Sequence, residues 1–366
     1  MIRKTISDAI SNIGTRHIEE AADFAVTKKA HKPVWIKWAA MAACLCLIVT
    51  GGLFIAQNNG IWRTACGHTS HNIILSQNAV YFSEMDKGVY LYNTASNDTV
   101  KMADFDGTFY DTASGIYLLD NSTGELYSVS DTETANVGTL DYNSPDYDET
   151  LHSIHLIDVL DNAAYWTSVY QDASSDSIYK TVFVTDLTTG QKSELFMLHD
   201  SSTFRGSIIA GKLYFFNGTG NGSIESFDLV TKENAVIYTA PADETAIGNV
   251  VFYDDYILFE SNAGLYQLGY EDTEPEKLTD LIPATNAFDR MGDELYYVAE
   301  SAEETEALIS FNLLTGEVSE ITKMDNYTYT EIVMCEDGYY FTDPSDTKGG
   351  LFYYDYVTDA ATKISK

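Results

Sequence analysis

GSIESFDLVTKENAVI (222–237), GLYQLGYEDTEPEKLT (264–279), ALISFNLLTGEVSEIT (307–322) and GLFYYDYVTDAATKIS (350–365) are copies of one unit, a strand, a short polar turn and a second strand. Their first residues lie 42, 43 and 43 apart. Weaker copies at 88–102, 124–138 and 180–195 share the same Asx or Gly turn and bring the number to seven. Each is preceded by an aromatic strand: NAVYFSE (78–84), SGIYLLD (114–120), NAAYWTS (162–168), GKLYFFN (211–217), DYILFES (255–261), DELYYVA (293–299) and DGYYFTD (337–343). Further upstream stand short stretches such as NIILSQ (72–77), SIHLIDV (153–159), GNVVFYD (248–254) and TEIVMCE (330–336), read as innermost strands. Four strands per unit of this length predict an all-β, seven-bladed β-propeller, in which each sheet buries its faces against its neighbours.

Composition agrees with this reading. The chain carries 26 Tyr and 17 Phe, rich in the strand segments, and only 6 Pro. Aromatic residues suit a pleated, half-buried surface, so their recurrence at equivalent positions reads as packing, with a stacking platform for sugars or peptides as the alternative.

The first 56 residues are a different object. Trp38 to Ala56 reads WAAMAACLCLIVTGGLFIA, 19 residues without a charge, close to the ~20 that cross a bilayer core. Lys28, Lys29, Lys32 and Lys37 precede it and Trp35 and Trp38 sit at its edge. The positive-inside bias therefore places the N-terminus in the cytoplasm and the propeller outside the cell. A cleaved signal peptide fits less well, because the leader is long and no A-x-A-like site clearly follows the apolar run. MAAC (41–44) looks like a lipobox, but only six uncharged residues separate Lys37 from Cys44. The predicted organisation is a cytoplasmic helical segment (1–33), a transmembrane helix (34–57), a linker (58–68) and an extracellular propeller (69–366).

Charge divides the chain at the same place. Residues 1–56 hold 7 Lys or Arg against 4 Asp or Glu, and 57–366 hold 14 against 51, net charges of +3 and −37. An exterior this acidic repels nucleic acid and anionic headgroups and keeps the domain soluble. Clusters such as DYNSPDYDE (141–149) and YEDTEPE (270–276) could recruit calcium weakly, but none has the EF-hand spacing, so no cofactor is expected. The longest gap between copies, 56 residues from Gly124 to Lys180, holds DYNSPDYDET (141–150) and QDASSDS (171–177). These are read as extended loops on blade three, where a partner surface is first to be sought.

Common catalytic signatures are absent: there is no G-x-S-x-G, H-E-x-x-H, C-x-x-C or P-loop. GTGNGS (218–223) lies between two strands and reads as a hairpin turn. His152 and His155 are three apart in a strand, hence on opposite faces, and should not converge on a metal. The expectation is a non-enzymatic module that binds or scaffolds an extracellular protein, peptide or glycan, with a transmembrane regulator whose N-terminal segment binds a cytoplasmic protein as the first alternative and a propeller-based hydrolase or lyase as the second. Cys66 precedes the first blade and Cys335 lies in the inner strand of the seventh. Because ring closure makes these blades neighbours, a disulfide between them is expected, with two free thiols as the alternative. In the cytoplasmic segment, Ile6, Ile10, Ile13, Ile18 and Phe24 approximate a helical apolar stripe that would want a protein partner or the membrane surface.

NIGTRHIEEA (12–21), KKAHKP (28–33) and WIKWAAMAACLCLIV (35–49), in that order, resemble the N-terminal module of single-pass membrane proteins of clostridia and related Firmicutes, some of them anti-sigma-factor-like. The repeats resemble extracellular domain-of-unknown-function propellers with TolB-like or YVTN-like blades. The resemblance implies an outer domain that senses or binds, coupled to a cytoplasmic regulator. The cytoplasmic part here lacks the zinc-binding His and Cys cluster that many anti-sigma domains carry.

Overall fold

The computed structural model describes residues 72–364, apart from residue 77 and the segments 85–86, 131–132, 141–152, 172–177, 200–203, 242–246, 262–263, 301–305, 324–330 and 343–349. The chain divides into two units, Met1–Gly60 and Ile61–Lys366. The proposed cytoplasmic stripe and membrane helix lie outside the described residues, within which no helix is long and apolar enough to cross a membrane.

The second unit is built of seven four-stranded antiparallel sheets, each consecutive in the chain. Blade 1 is β1 (Ile73–Ser76), β2 (Ala79–Glu84), β3 (Gly88–Asn93) and β4 (Asp98–Ala103). Blade 2 is β5 (Gly107–Thr112), β6 (Gly115–Asp120), β7 (Glu125–Ser130) and β8 (Glu133–Thr139). Blade 3 is β9 (Ser153–Leu160), β10 (Ala163–Gln171), β11 (Ile178–Asp186) and β12 (Lys192–His199). Blade 4 is β13 (Phe204–Ile209), β14 (Lys212–Asn217), β15 (Ser223–Asp228) and β16 (Asn234–Thr239). Blade 5 is β17 (Gly248–Phe252), β18 (Tyr256–Ser261), β19 (Gly264–Gly269) and β20 (Glu276–Thr279). Blade 6 is β21 (Pro283–Met291), β22 (Glu294–Glu300), β23 (Glu306–Asn312) and β24 (Val318–Lys323). Blade 7 is β25 (Glu331–Cys335), β26 (Gly338–Thr342), β27 (Leu351–Asp355) and β28 (Ala360–Lys363).

First strands of neighbouring blades pack side by side, as β5 with β9, β9 with β13 and β21 with β25, so they surround the axis, and blade 7 meets blade 1 through β25 and β1. Each of the seven blade interfaces holds its own apolar cluster. The one that closes the ring joins Ile73, Val80, Phe82 and Tyr92 of blade 1 to Tyr340 and Leu351 of blade 7. Among the described residues no blade borrows a strand from the other end of the chain, and blades 7 and 1 are joined by side-chain burial and by Glu331, described below. The second strand of each blade is covered on both faces. Phe82, Leu118, Trp166, Phe215, Leu258, Tyr297 and Phe341 are accordingly buried, and these strands read as continuous apolar runs, not as alternation.

The turn between third and fourth strands is repeated in chemical detail. An Asx side chain (Asn93, Asp186, Asp228, Asn312 or Asp355) accepts the N–H groups two and three residues ahead at 2.7–3.0 Å. The fifth residue (Asn97, Gly190, Lys232, Gly316 or Asp359) takes a left-handed φ of 51–71°. This is why the copies read D-x-x-T-G or close variants. In blades 1 to 6 the third and fourth strands also slip register, after the second residue of the third strand in blades 1, 2, 4 and 5, as at Val89/Tyr90 and Leu265/Tyr266, and further along it in blades 3 and 6. The slip brings an outer-strand carbonyl against the start of the third strand. A Cβ on Gly88 would stand 2.2 Å from Ala103 O, and one on Gly264 2.0 Å from Thr279 O. At φ of +116° and +131° these positions also need glycine for the backbone.

Blade 3 accounts for its long repeat partly with strand. Its strands are 8, 9, 9 and 8 residues long, against 6 each in blade 4. Gln171, read as loop, closes β10. GTGNGS is the expected hairpin: Thr219 N–H donates to Asn217 Oδ1, and Gly220 and Gly222 take positive φ.

Candidate functional site: the mouth of the channel

Because every blade is an up-and-down meander, all inner strands begin, and all second strands end, on one face of the ring. The chain also enters blade 1 on this face. The polar residues collected there come from five blades.

On blade 3, His155 of β9 keeps a solvent-open ring whose Nε2 lies 3.2 Å from Ser153 Oγ. Surrounding protein nevertheless lowers its proton affinity, and the positive charge of Lys180 lowers it further. As the third residue of β9, His155 stands at the end of that strand from which the inner strands begin, the channel mouth. Lys180 of β11 is only 5% exposed, and burial pulls its ammonium down to about 8.

On blade 4, Arg205 of β13 reaches across to blade 5, where Nη1 donates a long 3.5 Å hydrogen bond to Val250 O. Burial lowers the pKa of its guanidinium, with Glu260 acting in the opposite sense. On blade 5, Glu260 accepts from Asn249 Nδ2 at 2.5 Å. Desolvation raises its carboxyl, opposed by Asn249 and by the charge of Arg205.

Glu331, the first residue of β25, spans the ring closure. Its Oε2 accepts Asn72 N–H at 2.7 Å and Ile73 N–H at 3.2 Å, and its Oε1 accepts Asn72 Nδ2 at 3.2 Å. Burial pushes the carboxyl up to about 8, outweighing the three donors that favour its ionised form. Glu84, at the end of β2, is 3% exposed; Oε2 holds Lys87 Nζ at 2.9 Å, while Oε1 has no hydrogen-bond partner among the described residues.

Deeper in the ring, two carboxylates act as struts. Asp158 and Asp289 occupy the same position of their inner strands, opposite Tyr165 and Tyr296. Each accepts the following N–H of its own chain, from Val159 and Arg290, and the N–H at the equivalent place in the next blade, from Ile208 and Met334. Asp158 also accepts Ala113 N–H from blade 2 at 3.0 Å. Burial raises Asp158 to about 6 and Asp289 to about 7.

Of the residues singled out from sequence, His155 belongs to the mouth. His152 and Cys66 lie outside the described residues, as do Ile6, Ile10, Ile13, Ile18 and Phe24. Cys335 ends β25, at the opposite end of that strand from Glu331, half-buried beside Tyr353. Among the described residues no His, Cys, Asp or Glu group of three could hold a metal. Sequence reading passed over Lys180, Arg205, Glu260, Glu331 and the two struts. The available signal was a charged residue inside an otherwise apolar inner-strand segment, as in SIHLIDV (153–159) and TEIVMCE (330–336).

Neither a protein-family model nor a curated protein matches the sequence. Solved structures match in fold. An oligogalacturonate lyase from Vibrio parahaemolyticus superposes with a TM-score of 0.58 at 11% identity, over 80% of this chain and 91% of the lyase. A puromycin hydrolase gives 0.56 at 10% identity, over 83% of this chain and 54% of that one. A Pyrococcus horikoshii acylaminoacyl peptidase gives 0.51 at 11% identity, over 82% and 52%. The chain thus spans about half the length of the two hydrolases. At these identities the likeness defines the class, a seven-bladed β-propeller, and nothing finer.

Proposed function

We propose that this chain is a membrane-anchored, extracellular binding module whose ligand, a peptide, glycan or protein segment, sits over the channel mouth. The observation that carries the reading is the convergence of His155, Lys180, Arg205, Glu260 and Glu331 from four blades on one concave face. Burial raises the energy of the charged form of each. Polar groups held in a partly dry concavity by a rigid ring are preorganised for a ligand, because little order is lost on binding. The anchor is the apolar stretch 38–56, and residues 58–68 tether it to the ring.

Covalent footprinting of the full-length chain against a panel of peptides and glycans tests this. A ligand should protect His155 and Glu260 together, and Arg205→Ala should weaken it about tenfold. Protection confined to outer strands such as β16 and β24 would refute the site, and turnover of a bound compound would refute a purely binding role.

A further inference from the structure

Lys180 is the mouth residue that packing explains least. Ser153, Val169 and Lys180 stand in one row across β9, β10 and β11, and His155, Thr167 and Val182 stand in the next row on the same face. That face looks toward blade 4, where Val182 joins Ile157, Leu198, Leu213 and Phe215 in one apolar cluster. The lysine stem therefore shares its face with that apolar cluster, and its charge acts on His155 of the inner strand. Four other cations of the propeller, Lys87, Lys101, Lys277 and Arg290, are paired with Glu84, Asp104, Asp280 and Asp255. Lys180 has no carboxylate or hydrogen-bond partner among the described residues. Nor is this for want of acids, since 51 follow residue 56. Glu225, which blade 4 turns to the same interface, is taken up by Asn217, Ser223 and Asn234 of its own blade.

An ammonium buried without a counter-charge costs several kcal/mol, a cost that a bound anion removes. The long-range field of a −37 domain opposes anions in general, but it is screened over about 8 Å in physiological salt, so a local cation can still select one. We propose that Lys180, with His155 and Ser153 beside it, forms a subsite for an oxyanion carried by the ligand of the mouth, either a carboxylate or a phosphate-type group. The ammonium supplies charge, the imidazole and hydroxyl supply directed hydrogen bonds, and the apolar row beneath fixes the stem. This inference rests on the mouth being a binding site and adds the chemistry of what binds there.

The test is amine-selective labelling of the full-length chain at neutral pH, read residue by residue by mass spectrometry. Inorganic phosphate, acetate and chloride are compared at equal ionic strength, with the exposed Lys232 as internal reference. Lys180 should label ahead of Lys232. Its rate should fall about tenfold once the effective anion is present at about ten times its Kd, with Lys232 unchanged. Protection by phosphate alone assigns a phosphate-type group, by acetate alone a carboxylate, and by both an oxyanion subsite of broad choice. Protection by neither, or labelling of Lys180 slower than Lys232 across pH 6 to 9 (an internal ion pair or a sealed ammonium), overturns the proposal. Lys180→Met, which keeps the stem and removes the charge, should abolish an anion-dependent rise in Tm seen in the parent; an equal rise in both overturns it as well. If the anion arms fail while a ligand still protects Glu260, the oxyanion subsite is wrong and the binding-module reading stands; if neither holds, both fall.

Discussion

Replacing Asp289 by Asn should change the sign of its effect on stability between acid and alkaline pH. Asp289 is 6% exposed, with Oδ2 accepting Met334 N–H of the next blade at 2.6 Å and Oδ1 accepting Arg290 N–H at 2.8 Å. Burial lifts its folded-state pKa from 3.8 to about 7. The folded state therefore binds this proton more tightly than the unfolded chain. The stabilisation that follows is full below pH 3.8 and is lost as pH rises through 7. At about 1.4 kcal/mol per tenfold change in proton affinity, the span corresponds to about 4 kcal/mol. Asparagine does not titrate, and its single carbonyl can accept only one of the two N–H groups. A buried donor left over costs about 1–3 kcal/mol. Against the parent, the variant should thus be less stable by about that amount at pH 5 and equal or more stable at pH 9. Urea unfolding of both proteins at pH 5, 7 and 9 measures the difference, in which the other raised carboxyls, Asp158 and Glu331, cancel. A difference independent of pH, or one that grows more unfavourable to Asn as pH rises, would refute the assignment of Asp289 as a desolvated strut.

Two further outcomes follow from the same structure. Gly264→Ala should cost more than about 2 kcal/mol, because the new Cβ stands 2.0 Å from Thr279 O at a φ of +131°. Gly292→Ala, at φ +65° with open space around it, should cost only about 1 kcal/mol, and equal losses in thermal melts would contradict the steric account. Glu331→Ala removes three acceptor contacts at the junction of blades 7 and 1. Amide exchange at Asn72 and Ile73 should accelerate well ahead of exchange in β14, whereas uniform acceleration would mean that the ring opens elsewhere.

The repeat spacing, the aromatic second strands and the Asx turns were legible because each is a local requirement. A five-residue turn ending in a left-handed residue selects D-x-x-T-G or a close variant, and a strand covered on both faces selects runs such as LYFF (213–216) and ILFE (257–260). The division into an acidic ring and an apolar, basic-flanked leader is equally a property of composition. The mouth was not legible in this way. Lys180 and His155 are 25 residues apart, Glu331 and Asn72 are 259 apart, and a polar residue within its own segment does not say which distant group it faces.

By itself, then, the sequence determined the number of blades, their strand order and their turns, because hydrogen bonding and burial within one sheet are settled by neighbours a few residues away. Only the closed ring decided which strand ends share a face, which carboxylate meets the next blade's amide, and which lysine is left without a partner. Those relations depend on the angle at which one sheet packs on the next, a sum over dozens of side chains that no single segment encodes.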